Sequence, residues 1–91
     1  LLIGYCEQIT DNHFKYLDNL KTLFLTKCNQ KEITDEGLKY LKNLKSLILT
    51  SYKGNTITNK GISNLTQLKI LNLRNSNVKL ERDIFQEVNK I

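Results

Sequence analysis

The most reactive side chains in this sequence belong to His13, Cys6 and Cys28. A thiolate can act as a nucleophile or a metal ligand, and an imidazole can act as a base or a ligand. Zinc sites pair their ligands at short spacings, and a catalytic thiol needs a neighbouring base. The three residues show neither arrangement, so we expect no catalytic residue, no metal site, no cofactor and no enzymatic activity.

Cysteine content, charge and hydropathy indicate which cellular compartment and which classes of partner are favoured. Two cysteines are too few for a disulfide framework, which favours reduced, buried thiols in an intracellular protein, cytoplasmic or nuclear. The longest apolar run, Leu47-Ile48-Leu49, is too short to span a membrane. The net charge of +5 comes mostly from lysine, and aromatic residues are not interleaved with the basic ones, which disfavours nucleic acid as a partner.

The elements that position these residues follow from an internal repeat. Segments with one apolar pattern begin at Leu1, Leu23, Leu47 and Leu71, so their offsets are 22, 24 and 24 residues. The same frame then recurs at Ile9-Thr10-Asp11, Ile33-Thr34-Asp35 and Ile57-Thr58-Asn59. We divide the chain into repeats 1–22, 23–46 and 47–70 and a last segment, 71–91.

The last segment, 71–91, is predicted to hold the final repeat and a C-terminal cap. Ile84, Val88 and Ile91 recur at helical spacing with charged residues between them, as the polar end of a repeat array requires. No matching cap precedes Leu1, so we expect further repeats or a domain N-terminal to it in a longer natural chain.

Within each repeat, the spacing between apolar residues changes from two positions to three or more. The alternation of Leu23 and Leu25 predicts a short strand with one buried face. The wider spacing from Ile33 to Leu38 and Leu41 predicts a helical turn or two. Threonines are expected to cap the three helices, and they are Thr10, Thr34 and Thr58.

Small and aromatic residues also repeat at fixed helical positions. Glycine inside a helix costs about 0.5–1 kcal/mol relative to alanine, so Gly37 and Gly61 predict close packing against the neighbouring repeat. His13 occupies the same position in the first repeat and is expected on the surface. Tyr16 and Tyr40 share another position and are expected to pack against adjacent helices.

No repeat can bury its leucines alone, so stacked repeats must share one core. We predict an α/β solenoid of about four repeats, with parallel strands on one side and short helices on the other. Because strands stack about 4.8 Å apart and helices about twice as far, the strand side should be concave.

The pattern resembles the leucine-rich repeat family, in its cysteine-containing type as in F-box proteins. The likeness rests on Leu20-x-x-Leu23-x-Leu25-x-x-Cys28 followed by Ile33-Thr34-Asp35-x-Gly37-Leu38-x-x-Leu41, and it covers 1–73. In that family the cysteine lines the turn after the strand, whereas here its column reads Cys6, Cys28, Tyr52 and Ser76.

The resemblance implies a non-catalytic protein-interaction module, such as the substrate-recognition part of a ubiquitin ligase adaptor. Two alternatives stay open. One is a scaffold or structural subunit of a larger assembly, and the other is a bacterial or parasite surface or effector protein.

The family geometry places a protein partner on what we call the open strand face, formed by the outward residues of the strands. The residues assigned to binding there are Leu2, Phe24, Thr26, Ile48, Thr50, Asn72 and Arg74. The middle row, Leu2, Phe24, Ile48 and Asn72, is apolar in three of its four members and forms a candidate patch. A second candidate is the lysine row, Lys21, Lys45 and Lys69, which would attract an acidic partner.

Overall fold

The computed structural model describes residues 2–4, 10–26, 33–52, 54, 56–78 and 89–90, and for residues 2–4, 26 and 89–90 it describes the backbone alone. Cys6 and Cys28 lie outside these residues, so their reduced, buried state stays a prediction.

Strands and four-residue helices alternate along the chain. In order they are β1 (Leu2–Gly4), α1 (Asp11–Phe14), β2 (Thr22–Thr26), α2 (Asp35–Leu38), β3 (Ser46–Ile48), α3 (Asn59–Ile62), β4 (Ile70–Asn72) and β5 (Asn89–Lys90). The strands form one parallel sheet in chain order. The α/β class, with parallel strands and short helices, is therefore confirmed.

The strands pair in the register that the repeat predicts. Phe24 aligns with Leu2 on one side and with Ile48 on the other, and Ile48 aligns with Asn72. Equivalent residues of β2, β3 and β4 are therefore 24 positions apart.

Burial alternates along the strands, as one core face requires. The strand leucines Leu23, Leu25, Leu47 and Leu71 are buried, and so is Leu49, directly after β3. Phe24, between two of them, is 37% exposed. A slip of one residue would exchange these two faces, so the predicted register is confirmed.

By the repeat, Leu73 is equivalent to Leu25 and Leu49, which predicts that it is buried; this prediction is wrong, because Leu73 is only partly buried. It follows the end of β4, whose outer neighbour β5 pairs only with Ile70 and Leu71. No residue of β5 therefore pairs alongside Leu73.

The helix side continues beyond each helix in tight turns. Leu17 N–H donates to Phe14 O, and Leu20 N–H donates to Leu17 O, both at 3.0 Å. The same three-residue step recurs after α2 and α3. These bonds are of the 3₁₀ type, so the predicted turn or two of helix is one α-helical turn followed by tighter turns.

The prediction that Tyr16 and Tyr40 pack against adjacent helices is wrong. Tyr16 is 82% exposed and Tyr40 is 40% exposed. Each directly precedes the apolar residue of its turn, Leu17 or Leu41, that faces the core, and therefore lies on the outer side of the turn.

Tyr52 occupies the repeat position of Cys6 and Cys28 and is fully buried. Its hydroxyl lies 3.0 Å from Thr56 Oγ1, and the Thr56 hydroxyl donates to Ile33 O at 2.6 Å. Since the Thr56 proton is committed to Ile33, the Tyr52 hydroxyl is the donor to Thr56. The tyrosine thus helps to join two successive units.

At the C-terminus, the spacing of Ile84, Val88 and Ile91 predicts a helix. This prediction is wrong for Asn89 and Lys90, which form β5. They align with Ile70 and Leu71. An unpaired edge strand presents unsatisfied N–H and C=O groups, and β5 satisfies part of that edge. Residues 79–88, where most of the predicted cap falls, lie outside the described chain.

Candidate functional site

The helix side holds successive units together through an aspartate and a threonine that are 23 residues apart. Thr34 N–H donates to Asp11 Oδ1 at 2.7 Å, and the Thr34 hydroxyl donates to Asp11 Oδ2 at 2.5 Å. Thr58 makes the same two bonds to Asp35, at 2.8 and 2.6 Å. We call each arrangement an Asp–Thr bridge. Its bonds are charge-assisted and therefore stronger than neutral ones.

Each of these threonines also caps its helix, as the sequence predicts. The Thr34 hydroxyl accepts from Glu36 N–H at 3.1 Å, and the Thr58 hydroxyl accepts from Lys60 N–H at 3.3 Å. One hydroxyl thus serves its own helix as acceptor and the preceding unit as donor.

The glycines of the repeat make room for these bridges. A Cβ on Gly37 would overlap Asp11 Oδ1 and lie 3.1 Å from Asp11 Cβ, and a Cβ on Gly61 would lie 2.8 Å from Asp35 Cβ. The predicted close packing is confirmed, and its partner is the aspartate of the preceding unit.

The first and third helices each lack one residue of this arrangement. Helix α1 has no glycine at the equivalent position, and α3 has no aspartate. At the glycine position of α1, His13 is exposed, as predicted, and its Nδ1 accepts from Thr10 N–H at 3.0 Å. At the aspartate position of α3, Asn59 has a buried Oδ1 that accepts no hydrogen bond within the described chain. A neutral amide in that place is less costly to bury than an unpaired carboxylate would be.

The sheet brings together several of the residues assigned to the open strand face. Phe24, Ile48 and Asn72 align across β2, β3 and β4, and the last two are half-buried. Asn72 Oδ1 also accepts from Arg74 N–H at 3.0 Å. Leu2 joins this row by its backbone register with Phe24.

The remaining assigned residues lie at the carboxyl ends of the strands. Thr26 is the last residue of β2, whereas Thr50 and Arg74 lie two positions beyond β3 and β4. Backbone pairing still reaches this edge, because Ser51 N–H donates to Arg74 O at 2.9 Å. The side chains of Leu2 and Thr26 lie outside the described part of the structure.

The lysine row is brought together at the opposite edge, where the strands begin. Lys45 N–H donates to Lys21 O at 2.8 Å, and Lys69 N–H donates to Lys45 O at 2.7 Å. Lys21 and Lys69 are exposed, and Lys45 is half-buried. Three cationic residues therefore lie side by side, each directly before the first residue of a strand.

Charge is distributed unequally between the two sides. Segments 20–26, 44–50 and 68–74 contain four basic residues and no acidic residue. The acidic residues of the described chain lie in the helices or the turns after them, and they are Asp11, Asp18, Asp35 and Glu36.

One ion pair lies on the helix side, where Lys39 Nζ is 2.8 Å from Glu36 Oε2. The hydrogen bond and the attraction between these groups lower the pKa of Glu36 and raise the pKa of Lys39. Both side chains are exposed, so solvent screens the pair and it adds little to stability.

The described residues contain no group of three or more His, Cys, Asp and Glu side chains that could hold a metal ion. Within the same ranges, none of the helices has the length and apolar character needed to cross a bilayer. No protein-family model, curated protein or solved structure matches the chain.

Proposed function

We propose that this chain is a non-catalytic protein-binding module that holds its partner on the open strand face. The observation that carries the proposal is Phe24. It is 37% exposed although both of its strand neighbours, Leu23 and Leu25, are fully buried. The core therefore has no need of an aromatic ring at this position, whereas aromatic side chains are enriched among the residues that dominate interface energies.

The architecture that we propose for this module is a leucine-rich repeat solenoid of about four repeats with a C-terminal cap. The support is the constant 24-residue register of β2, β3 and β4, together with one strand and one short helix in each unit. The core is continuous from Phe14 to Val78, as expected when no unit can bury its apolar residues alone.

A narrower role, substrate recognition in a ubiquitin ligase adaptor, rests on the family resemblance alone. Tyr52 in the cysteine column departs from that subtype. The proposal of a protein-binding face does not depend on the narrower role, since its support is the exposure of Phe24.

A scaffold subunit is the second candidate, and the exposed tyrosines favour it. Tyr16 and Tyr40 lie at equivalent positions on the helix side, on the opposite side of the units from Phe24. A protein that joins several neighbours would use both sides, whereas a receptor would use the open strand face alone.

The experiment compares two double variants of similar size and chemistry. Phe24→Ser with Ile48→Ser removes the apolar row, and Tyr16→Ser with Tyr40→Ser removes the helix-side pair. We expect the first to weaken a purified natural partner by more than about 2 kcal/mol, as for central interface residues, and the second to leave affinity unchanged. Isothermal titration calorimetry measures both, after circular dichroism shows that each variant is folded.

The reverse result would exclude the receptor proposal. If the tyrosine variant lost the partner and the Phe24/Ile48 variant kept it, the helix side would be the binding surface. Loss of partners in both variants would favour the scaffold.

A further inference from the structure

We infer that α1 is the first helix in the series of Asp–Thr bridges, and that His13 closes its outer surface against a preceding unit of the same kind. This inference goes beyond the proposed function, because it concerns the end of the bridged series and not the open strand face. It states which partner cannot dock at this end: a unit that offers an aspartate carboxylate to Thr10.

The first step is the position that the imidazole of His13 occupies. Thr34 N–H donates to Asp11 Oδ1 at 2.7 Å. The equivalent Thr10 N–H donates to His13 Nδ1 at 3.0 Å. The Thr34 hydroxyl donates to the carboxylate of Asp11, and the Thr10 hydroxyl lies 3.3 Å from Nδ1 of the imidazole. Both groups of Thr10 that would bond to a preceding aspartate are therefore bonded within the first unit itself.

The second step is the form of the imidazole that this contact requires. Because Nδ1 accepts from Thr10 N–H, it carries no proton, and the proton of the neutral ring lies on Nε2. The Thr10 hydroxyl is then also a donor to Nδ1. His13 therefore offers an acceptor to Thr10, as the carboxylate of Asp11 does to Thr34.

The third step is that a side chain at this helical position and a preceding aspartate exclude each other. A Cβ on Gly37 would overlap Asp11 Oδ1, and one on Gly61 would overlap the next aspartate in the same way. Both glycines are buried, whereas His13, at the equivalent position, is exposed. An aspartate could reach Thr10 only by displacing the imidazole. Further repeats before residue 1 could not extend the series of bridges, so such a segment would contact the first unit in another way.

The hydrogen bond is tested in the whole chain by ¹⁵N NMR at about pH 8, where a histidine side chain is ordinarily neutral. We expect His13 Nδ1 to have the chemical shift of an unprotonated ring nitrogen. It should also show a scalar coupling to the Thr10 amide nitrogen across the hydrogen bond. A proton on Nδ1, or no coupling, would overturn the inference, because Thr10 would then be free to bond to a preceding unit.

The closure is tested by adding a unit before the first one. A copy of residues 33–56 inserted before Ile9 keeps the repeat frame and places an aspartate 23 residues before Thr10, the separation found in both bridges. In this longer chain, His13→Gly should raise the urea concentration at the midpoint of unfolding by about 0.5 M, since the new aspartate can then bond to Thr10. In the original chain, the same substitution should lower that midpoint by about 0.5 M, since it removes the cap from Thr10 and puts glycine in the helix.

The matched control is Asp35→Ala in the added copy alone, and with it His13→Gly should no longer raise the midpoint. Equal lowering by His13→Gly in the original and the longer chain would overturn the inference, and so would a rise that persists in the control. Circular dichroism shows which chains fold. A longer chain that folds only with His13→Gly supports the closure, and one that folds only without this substitution overturns it. Should neither longer chain fold, the coupling between Thr10 and His13 decides the question.

Discussion

The helix side and the strand side of these units are joined by different chemical groups. On the helix side, particular side chains make the connection: Asp11 and Asp35 accept from threonines of the next unit, and Asn43 Nδ2 donates to Asp18 O at 2.8 Å. On the strand side, backbone N–H and C=O groups pair, and every residue type except proline supplies both. The helix side therefore restricts its sequence to keep the units in register, whereas the outward strand residues are available for recognition.

The largest difference in the free energy of unfolding is expected between alanine variants of two adjacent residues of β3. Leu47→Ala should lower the free energy of unfolding by about 2–5 kcal/mol, because Leu47 is fully buried and its truncation leaves a cavity. Ile48→Ala should lower it by less than about 1 kcal/mol, because Ile48 is half-buried on the open strand face. Urea unfolding followed by circular dichroism measures both. Equal losses would mean that the open strand face is part of the core.

Gly37→Ala tests whether the Asp–Thr bridge determines the residue at this helical position. Alanine normally stabilises a helix relative to glycine by up to about 1 kcal/mol. Here the new methyl group would displace the Asp11 carboxylate from Thr34, so we expect a net loss of about 1–3 kcal/mol in the free energy of unfolding.

The control for Gly37→Ala is the same substitution in an Asp11→Ala background. With the carboxylate gone, the loss should shrink to less than half, which urea unfolding of the four chains in a double-mutant cycle would measure. If Gly37→Ala stabilised the otherwise unchanged chain, the Asp–Thr bridge would have accommodated the new methyl group at little cost in free energy.

Equivalent positions on neighbouring helices allow a smaller and cleaner comparison. Asp35→Ala should destabilise the chain by about 1.5–2 kcal/mol, since Thr58 N–H and its hydroxyl lose a charged acceptor. Asn59→Ala should change stability by less than about 0.5 kcal/mol, because the Asn59 Oδ1 atom is buried without a partner in the described chain. Thermal unfolding monitored by calorimetry would reveal the difference. A loss at Asn59 as large as at Asp35 would place a bonded partner beside it.

The smallest effect is expected at the exposed pair of Glu36 and Lys39. Lys39 lowers the pKa of Glu36, so the pair's small contribution to stability is present above the unfolded-state pKa and is lost as pH falls through the folded-state value. In an NMR titration, Lys39→Gln should raise the pKa of Glu36 toward its ordinary value, and Lys42→Gln should leave it unchanged. An identical Glu36 titration in all three chains would show that the pair does not form in solution.

The sequence predicts the strand side well, because a strand with one buried face has to alternate. Leu71, Asn72 and Leu73 alternate by type, and the repeat frame extends that orientation to Leu23, Phe24 and Leu25, which are all apolar. The helix side is harder to predict. A spacing of three residues is shared by amphipathic helices and consecutive 3₁₀ turns, which is why the exposure of Tyr16 and Tyr40 was mispredicted.

The Asp–Thr bridges show what sequence analysis missed at the site. Thr34 was explained locally, as a helix cap, and Gly37 was expected to pack closely against the neighbouring repeat, but no partner was named for either residue. The bond from Thr34 reaches Asp11 in the preceding unit, and this contact exists only when two units are stacked. The signal in the sequence was the recurrence of Thr-x-x-Gly, at 34–37 and 58–61, each one unit after an aspartate. The strand at Asn89 and Lys90 was missed for a similar reason, since it depends on the open edge of β4.

The three helices contain different residues of the Asp–Thr bridge, and this has a consequence for lengthening the chain by tandem duplication. The 24 residues 33–56 contain Thr34 and Gly37, which fit the preceding unit, and Asp35, which fits the following one. In a second copy inserted after the first, Thr34 and Gly37 would face Asp35 of the first copy, as Thr58 and Gly61 do now. The longer chain would therefore have one more Asp–Thr bridge, and we expect the urea concentration at its midpoint of unfolding to rise. A duplicated α1 unit would instead place His13 against an aspartate, and a duplicated α3 unit would place Asn59 against a threonine. Of the three, the central unit alone is compatible with itself, so it is the natural module for lengthening this array, whether by gene duplication or by an engineer.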